Sequence, residues 1–178
     1  MYRFTMTSTK RLILAGLCVA LGIVLPLVFH SIANAGSIFL PMHIPVLLCG
    51  LICGWPLGLA CGVITPLLSS LITGMPLVAF LPSMLCELAV YGLISGLLMR
   101  AIKTGKTVTD LYLSLIGAML AGRLVFGLVN ALIFRAGQYS LPVWTSAAFV
   151  TALPGILIQL AILPALVLSL KKAKLITE

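Results

Sequence analysis

Long apolar runs alternate with short breaks along the chain, and most of the charge sits in the breaks. One stretch free of Asp, Glu, Lys and Arg, from Phe39 to Pro76, reads FLPMHIPVLLCGLICGWPLGLACGVITPLLSSLITGMP. A bilayer-spanning helix takes roughly 20 apolar residues, so the apolar part, Ile44 to Thr73, is too long for one span and short for two. The pattern predicts a turn at Gly54-Trp55-Pro56-Leu57-Gly58, where Pro removes a backbone donor, Gly permits a sharp bend and Trp suits a membrane interface. Two short spans are expected on either side of it. Interrupted spans of this kind often line a cavity, because irregular backbone survives in hydrocarbon only where protein or water satisfies it.

The remaining runs extend the pattern. Span one is expected from about Thr9 to Ile32, followed by a polar external loop, Ser31 to His43, that ends in Pro41-Met42-His43-Ile44-Pro45. Span four covers about Leu81 to Met99, and span five about Leu111 to Phe134. A third external loop, Arg135 to Pro142, leads past an interfacial Trp144 into a long span six, about Val143 to Leu170, which Pro154 and Pro164 are expected to kink. No internal repeat or linker is evident, so residues 1–178 are read as one domain: an all-α membrane protein with six transmembrane helices in one compact bundle.

Composition agrees with that reading. Hydrophobic residues make up 62% and charged residues 8%, against roughly 25% charged in soluble domains, and the mean hydropathy is +1.27. The chain has no room left for a soluble catalytic or nucleotide-binding domain. The net charge of +8 suggests nucleic acid only until its placement is considered. Nine of the eleven cations (Arg3, Lys10, Arg11, Arg100, Lys103, Lys106, Lys171, Lys172, Lys174) fall on one side of a six-span chain. By the positive-inside rule that side is cytoplasmic, as are both termini. The five cysteines, Cys18, Cys49, Cys53, Cys61 and Cys86, lie in apolar runs without zinc-type spacing and are read as small buried hydrophobes. Ala33-Asn34-Ala35 imitates a signal-cleavage site, but Leu12 to Phe29 is longer than a usual signal core, so it is read as the retained first span.

Candidate chemistry is sparse and therefore informative. Glu87 and Arg123 are the firmly charged side chains deep inside predicted spans, roughly 9 Å and 17 Å below the external ends of spans four and five by helical rise. A charge at the membrane centre costs about 2.5–3.5 kcal/mol on insertion scales, so each is expected to face the bundle interior or an aqueous cavity. Tyr91 follows Glu87 by one turn; Gly127 and Asn130 follow Arg123 by one and two. On span six Thr151 and Gln159 occupy related turns, with Gly155 between them leaving space for a ligand or a close helix. With His43 at the outer mouth, these residues are expected to line one outward-opening cavity, the alternative being an ion pair with interhelical amide bonds and no ligand. His30 is read as interfacial. Asp110 suits the N-terminus of span five. No paired catalytic carboxylates, histidine-rich metal cluster, serine elbow or P-loop is present, so neither enzymatic activity nor a cofactor is expected.

The passages LPMHIPVLLCGLICGWPLG, PLLSSLITGMP, PSMLCELAVYGLISGLL, AGRLVFGLVNALIF and LPGILIQLAILP, in that order and spacing, resemble the substrate-binding S components of energy-coupling factor (ECF) vitamin transporters. The resemblance implies a vitamin cavity near the external face, built from spans four to six and the loop after span one. It also implies a transmembrane T subunit and two cytoplasmic ABC-type ATPases as partners, in a bacterial cytoplasmic membrane. Many members carry an AxxxA pattern on span one that contacts the T subunit. Here Ala15 is followed four residues on by Val19, and the small pair Gly16 and Ala20 stands in its place. The branch with PMHIPVL and GMP signatures suggests pyridoxine (vitamin B6) or the thiamine precursor hydroxymethylpyrimidine, with pantothenate as the rival ligand. A solitary proton-coupled transporter using Glu87 is the functional alternative.

Overall fold

A computed structural model of the chain describes residues 4, 6–29, 35–134 and 140–176. Arg3, His30 and the loop segments at 30–34 and 135–139, to which the sequence reading assigned roles, lie outside the described residues. The described residues form helices α1 (Ser8–Val28), α2 (Ala35–Phe39), α3 (His43–Cys53), α4 (Trp55–Thr73), α5 (Leu81–Ala101), α6 (Thr107–Val129), α7 (Leu141–Thr145) and α8 (Leu153–Lys172). Two π-helical turns, Asn130–Phe134 and Ser146–Thr151, extend α6 and α7. Among the described residues, six stretches are long and apolar enough to cross a membrane: Ser8–Val28, Gly36–Cys53, Trp55–Thr73, Leu81–Ala101, Thr107–Ile133 and Leu153–Lys172.

α3 is the core of the bundle. Ile44 is its one residue that is not buried, as a helix apolar on all sides requires. α1, α4, α5 and α8 surround it. The reversal into α4 is tighter than the predicted five-residue turn. Gly54 alone makes it, at φ 92° and ψ 168°, a conformation that a side chain would oppose, and Trp55-Pro56 already forms the first turn of α4. The flanking spans are not both short: α4 runs 19 residues, while α3 runs 11 and reaches membrane length only together with α2.

Three further expectations are corrected. The polar loop after span one contains α2, separated from α3 by a break at Leu40, whose φ is 51°. Span one stops at Val28, short of Ile32. Span six is two pieces, because the π-helical turn Ser146–Thr151 ends at Ala152 and Pro154 starts a new helix in its first turn, where its missing N–H costs nothing. At the basic end, Lys171 Nζ donates to Thr107 Oγ1 at 3.2 Å, joining the foot of α8 to that of α6. Asp110, read as a helix-terminus charge, is buried in the first turn of α6 and accepts from both Thr104 N (2.9 Å) and Thr104 Oγ1 (2.6 Å), which fastens the basic loop.

α4 and α5 touch backbone to backbone: a Cβ on Gly92 would run into the Gly58 carbonyl. Gly92→Ala is therefore expected to force the two helices apart and to cost about 1–3 kcal/mol, read as a lower melting temperature in detergent. Gly16→Ala, where a Cβ meets nothing within 4 Å, should leave the melting temperature equal or higher, since Ala gains up to about 1 kcal/mol of helix propensity.

Candidate functional site

Glu87 and Tyr91 sit one turn apart on α5, Arg123 lies on α6, and His43 is the first residue of α3, placed there by the backbone bond from its N to Leu40 O (3.0 Å). The structure brings these four together. Arg123 Nη1 lies 2.9 Å from Glu87 Oε1, and His43 Nε2 lies 3.6 Å from Glu87 Oε2. The His43 and Tyr91 rings meet edge to face at 5.2 Å between centroids, and the Tyr91 phenol reaches the same carboxylate. Gly122 has no side chain where the Tyr91 ring lies, which lets α6 close on α5. All four residues are at most 5% exposed.

The cluster is buried but incompletely bonded. His43 Nδ1 and Nε2, Glu87 Oε1, and Arg123 Nε and Nη2 make no hydrogen bond within the protein. The Arg123 to Glu87 contact is thus an ion pair by distance without the alignment of a hydrogen bond. Buried polar groups are normally satisfied, and each exception calls for a reason. The free edge of Arg123 offers two donors, Glu87 an acceptor, and the His43 ring one donor and one acceptor when neutral.

The other predicted residues divide. Asn130 is buried in a neighbouring layer, where its Oδ1 accepts from Ser83 Oγ (3.0 Å) and its Nδ2 donates to Phe126 O (2.8 Å). Gln159 is buried and donates through Nε2 to Leu40 O (3.4 Å), bracing the break before α3. Thr151 is a correction: it ends the π-helical turn and is exposed on the bundle surface, outside the cluster. The space beside Gly155 is taken by the backbone of Ile38 and Phe39 in α2. On α1, Ala15 is buried whereas Gly16 and Ala20 face outward.

Two residues were missed. Trp144, half-buried, donates from its indole N–H to the Arg123 carbonyl (3.1 Å), with its ring against Gly127. No periodicity links Trp144 to Arg123, but a tryptophan two residues after a proline, following a polar loop, was a visible signal of an anchored segment. Ser83, one turn before Glu87 on the same face of α5, was legible from spacing alone. A shallow cleft among Phe4, Leu51, Ile52, Gly54, Gly96, Met99 and Arg100 lies at the opposite, basic end and does not reach the cluster. Among the described residues no three His, Cys, Asp or Glu side chains are placed to hold a metal ion.

Removing one member of a buried pair strands the other charge, at about 3–5 kcal/mol. Glu87→Gln and Arg123→Gln should each lower the melting temperature, and the double variant should lose less than the sum of the two. A double-mutant cycle giving coupling above about 1 kcal/mol is expected; strict additivity would deny the pairing.

The family model described as ECF transporter, substrate-specific component, matches residues 10–168. Neither the curated proteins nor the solved structures yield a match. The match runs from the first turn of α1 to the last turns of α8, across every membrane-length helix and the whole buried cluster. The chain therefore belongs to the family of substrate-specific components of ECF transporters, multi-pass membrane subunits that bind a vitamin-type substrate for import.

Proposed function

We propose that the His43, Glu87, Tyr91 and Arg123 cluster is the binding site of this S component for a small water-soluble vitamin or precursor, of the pyridoxine or hydroxymethylpyrimidine type. The observation that carries this reading is the set of five nitrogen and oxygen atoms, on three side chains that are 95% or more buried, that make no hydrogen bond within the protein. A purely structural ion pair gains nothing from leaving them unmet, since each stranded group costs about 1–3 kcal/mol. A ligand that carries both donors and acceptors would meet them.

Charge selects the ligand class. One carboxylate and one guanidinium already balance, so a neutral heteroaromatic compound with ring nitrogens and hydroxyls enters without leaving a net charge in low dielectric. Tyr91 and the His43 ring supply aromatic surface for such a ring. Pantothenate is the second reading, favoured by the free Nε and Nη2 edge of Arg123, whose fork suits a carboxylate. Asn130 and Gln159 hold the walls in place through Ser83 and Leu40. Gly16 and Ala20, small and outward-facing on α1, are the proposed contact with the T subunit, which with two ATPases would supply the energy for import. The basic end is proposed to face the bacterial cytoplasm.

Thermal shift of the purified protein across pyridoxine, hydroxymethylpyrimidine and pantothenate tests the reading. A ligand at 100 times its Kd should stabilise the fold by about 2.7 kcal/mol. The shift should vanish in Arg123→Ala and Glu87→Gln and persist in Thr151→Ala; a flat response across the panel in well-folded protein would refute it. For the partner surface, Gly16→Leu with Ala20→Leu should keep the shift while reducing co-purification of the T subunit. Undiminished co-purification would place the coupling surface elsewhere.

A further inference from the structure

The proposed binding site holds one group whose charge is not fixed. An imidazole gains or loses its proton between about pH 5 and 8, the range in which a paired carboxylate and guanidinium stay ionised. His43 opens α3 directly after the break at Leu40. The Leu40 carbonyl accepts from both the His43 N–H (3.0 Å) and Gln159 Nε2 (3.4 Å), so the ring is carried on a braced turn. Tyr91 lies edge to face against it, 5.2 Å between centroids, and Glu87 Oε2 stands 3.6 Å from its Nε2. That separation exceeds the roughly 2.7–3.2 Å of a hydrogen bond. It is the spacing of an ion pair that exists only while the ring carries its proton.

Few ionisable groups face His43. α5 presents Glu87 and the Tyr91 phenol, and α6 presents Arg123 to the same carboxylate. Among the described residues, α2, α7 and both π-helical turns carry no ionisable side chain. α1, α3, α4 and α5 add only the thiols Cys18, Cys49, Cys53, Cys61 and Cys86. The other described charged side chains, with Tyr112, belong to the basic end. Cys53 marks that end of α3 by reaching the Arg11 carbonyl at 3.6 Å, roughly 15 Å along the helix from His43.

Glu87 and Arg123 cancel, so the charge of the cluster follows His43: none with the ring neutral, one positive with it protonated. A carboxylate ligand entering the neutral cluster would leave one negative charge uncompensated in the bundle, a costly state in low dielectric. Entering the protonated cluster, it would leave none. An uncharged ligand gains nothing from the proton, since it would then share the bundle with an uncompensated cation.

We propose that His43 sets the charge class of the substrate: a carboxylate ligand binds together with one proton, taken from solvent onto the His43 imidazole beside Glu87, whereas an uncharged ligand binds without one. This inference rests on the cluster being the substrate site. It gives the one cavity two modes, with acid favouring the carboxylate.

The test uses the full purified chain and pairs each uncharged ligand with its carboxylate counterpart: pyridoxine with 4-pyridoxate, hydroxymethylpyrimidine with the corresponding pyrimidine carboxylate, pantothenol with pantothenate. Between about pH 6 and 8, the Kd of a carboxylate member should rise by up to about tenfold per pH unit, and that of its uncharged partner should not rise. Calorimetry in two buffers of different ionisation enthalpy should count about one proton taken up per carboxylate at the upper end of that range and none per uncharged ligand. His43→Gln should abolish the slope; should that variant not fold, the proton count on the wild type decides. A bound carboxylate whose Kd ignores pH, a slope that survives in His43→Gln, or an uncharged ligand that binds while its carboxylate counterpart fails at every pH would overturn the inference and leave the site in place. No binding by any of the six would remove the site as well.

Discussion

A carboxylate and a guanidinium cannot enter an apolar bundle separately; each would face a desolvation cost of several kcal/mol. Glu87 and Arg123 enter as a pair, 2.9 Å apart, and much of the architecture serves to make that meeting possible. Gly122 lets α6 approach the Tyr91 ring, and the backbone contact of Gly58 with Gly92 presses α5 into place beside α4. His43, at the head of the most buried helix, brings a third element to the same carboxylate. Three helices are therefore oriented about one charge pair, a strong constraint in lipid, where apolar packing alone discriminates poorly between helix rotations.

Stability alone does not account for the geometry. An ion pair kept only to hold helices would be expected to satisfy its remaining donors and acceptors, as Asn130 does with Ser83 and Phe126 and as Asp110 does with Thr104. The contrast within one molecule is informative: the outer polar layer and the basic loop are hydrogen-bonded, whereas five atoms of the central cluster make no hydrogen bond. Trp144 adds to this by fixing the Arg123 backbone from the α7 segment, so the guanidinium is positioned from two directions while its free edge stays unused. Such preorganised but unfilled valence is how a receptor reduces the cost of binding a small polar molecule.

Much of this was legible in the sequence. Hydropathy located the six spans, and the scarcity of charge singled out Glu87 and Arg123, because lipid makes intramembrane ions too costly to be incidental. What failed was register. Thr151 was placed with Gln159 by counting two α-helical turns, but the π-helical turn Ser146–Thr151 and the break at Ala152 rotate Thr151 outward. Nothing in Ser146-Ala147-Ala148-Phe149-Val150-Thr151 announces a π turn, since these residues suit an α-helix as well. α2 was hidden for a related reason: its five residues are too few to show a period, and Leu40 adopts a positive φ that apolar side chains seldom do.

Belonging to the S-component family fixes the role of the chain as a binding subunit, and the buried cluster is where that role acquires chemistry. The most direct measurement is an experimental structure of the protein with its vitamin bound. Ligand nitrogens or oxygens should lie within about 3.2 Å of Arg123 Nε or Nη2 and of Glu87 Oε1. A ligand lodged elsewhere in the bundle, with those atoms still unmet or met only by water, would contradict the assignment.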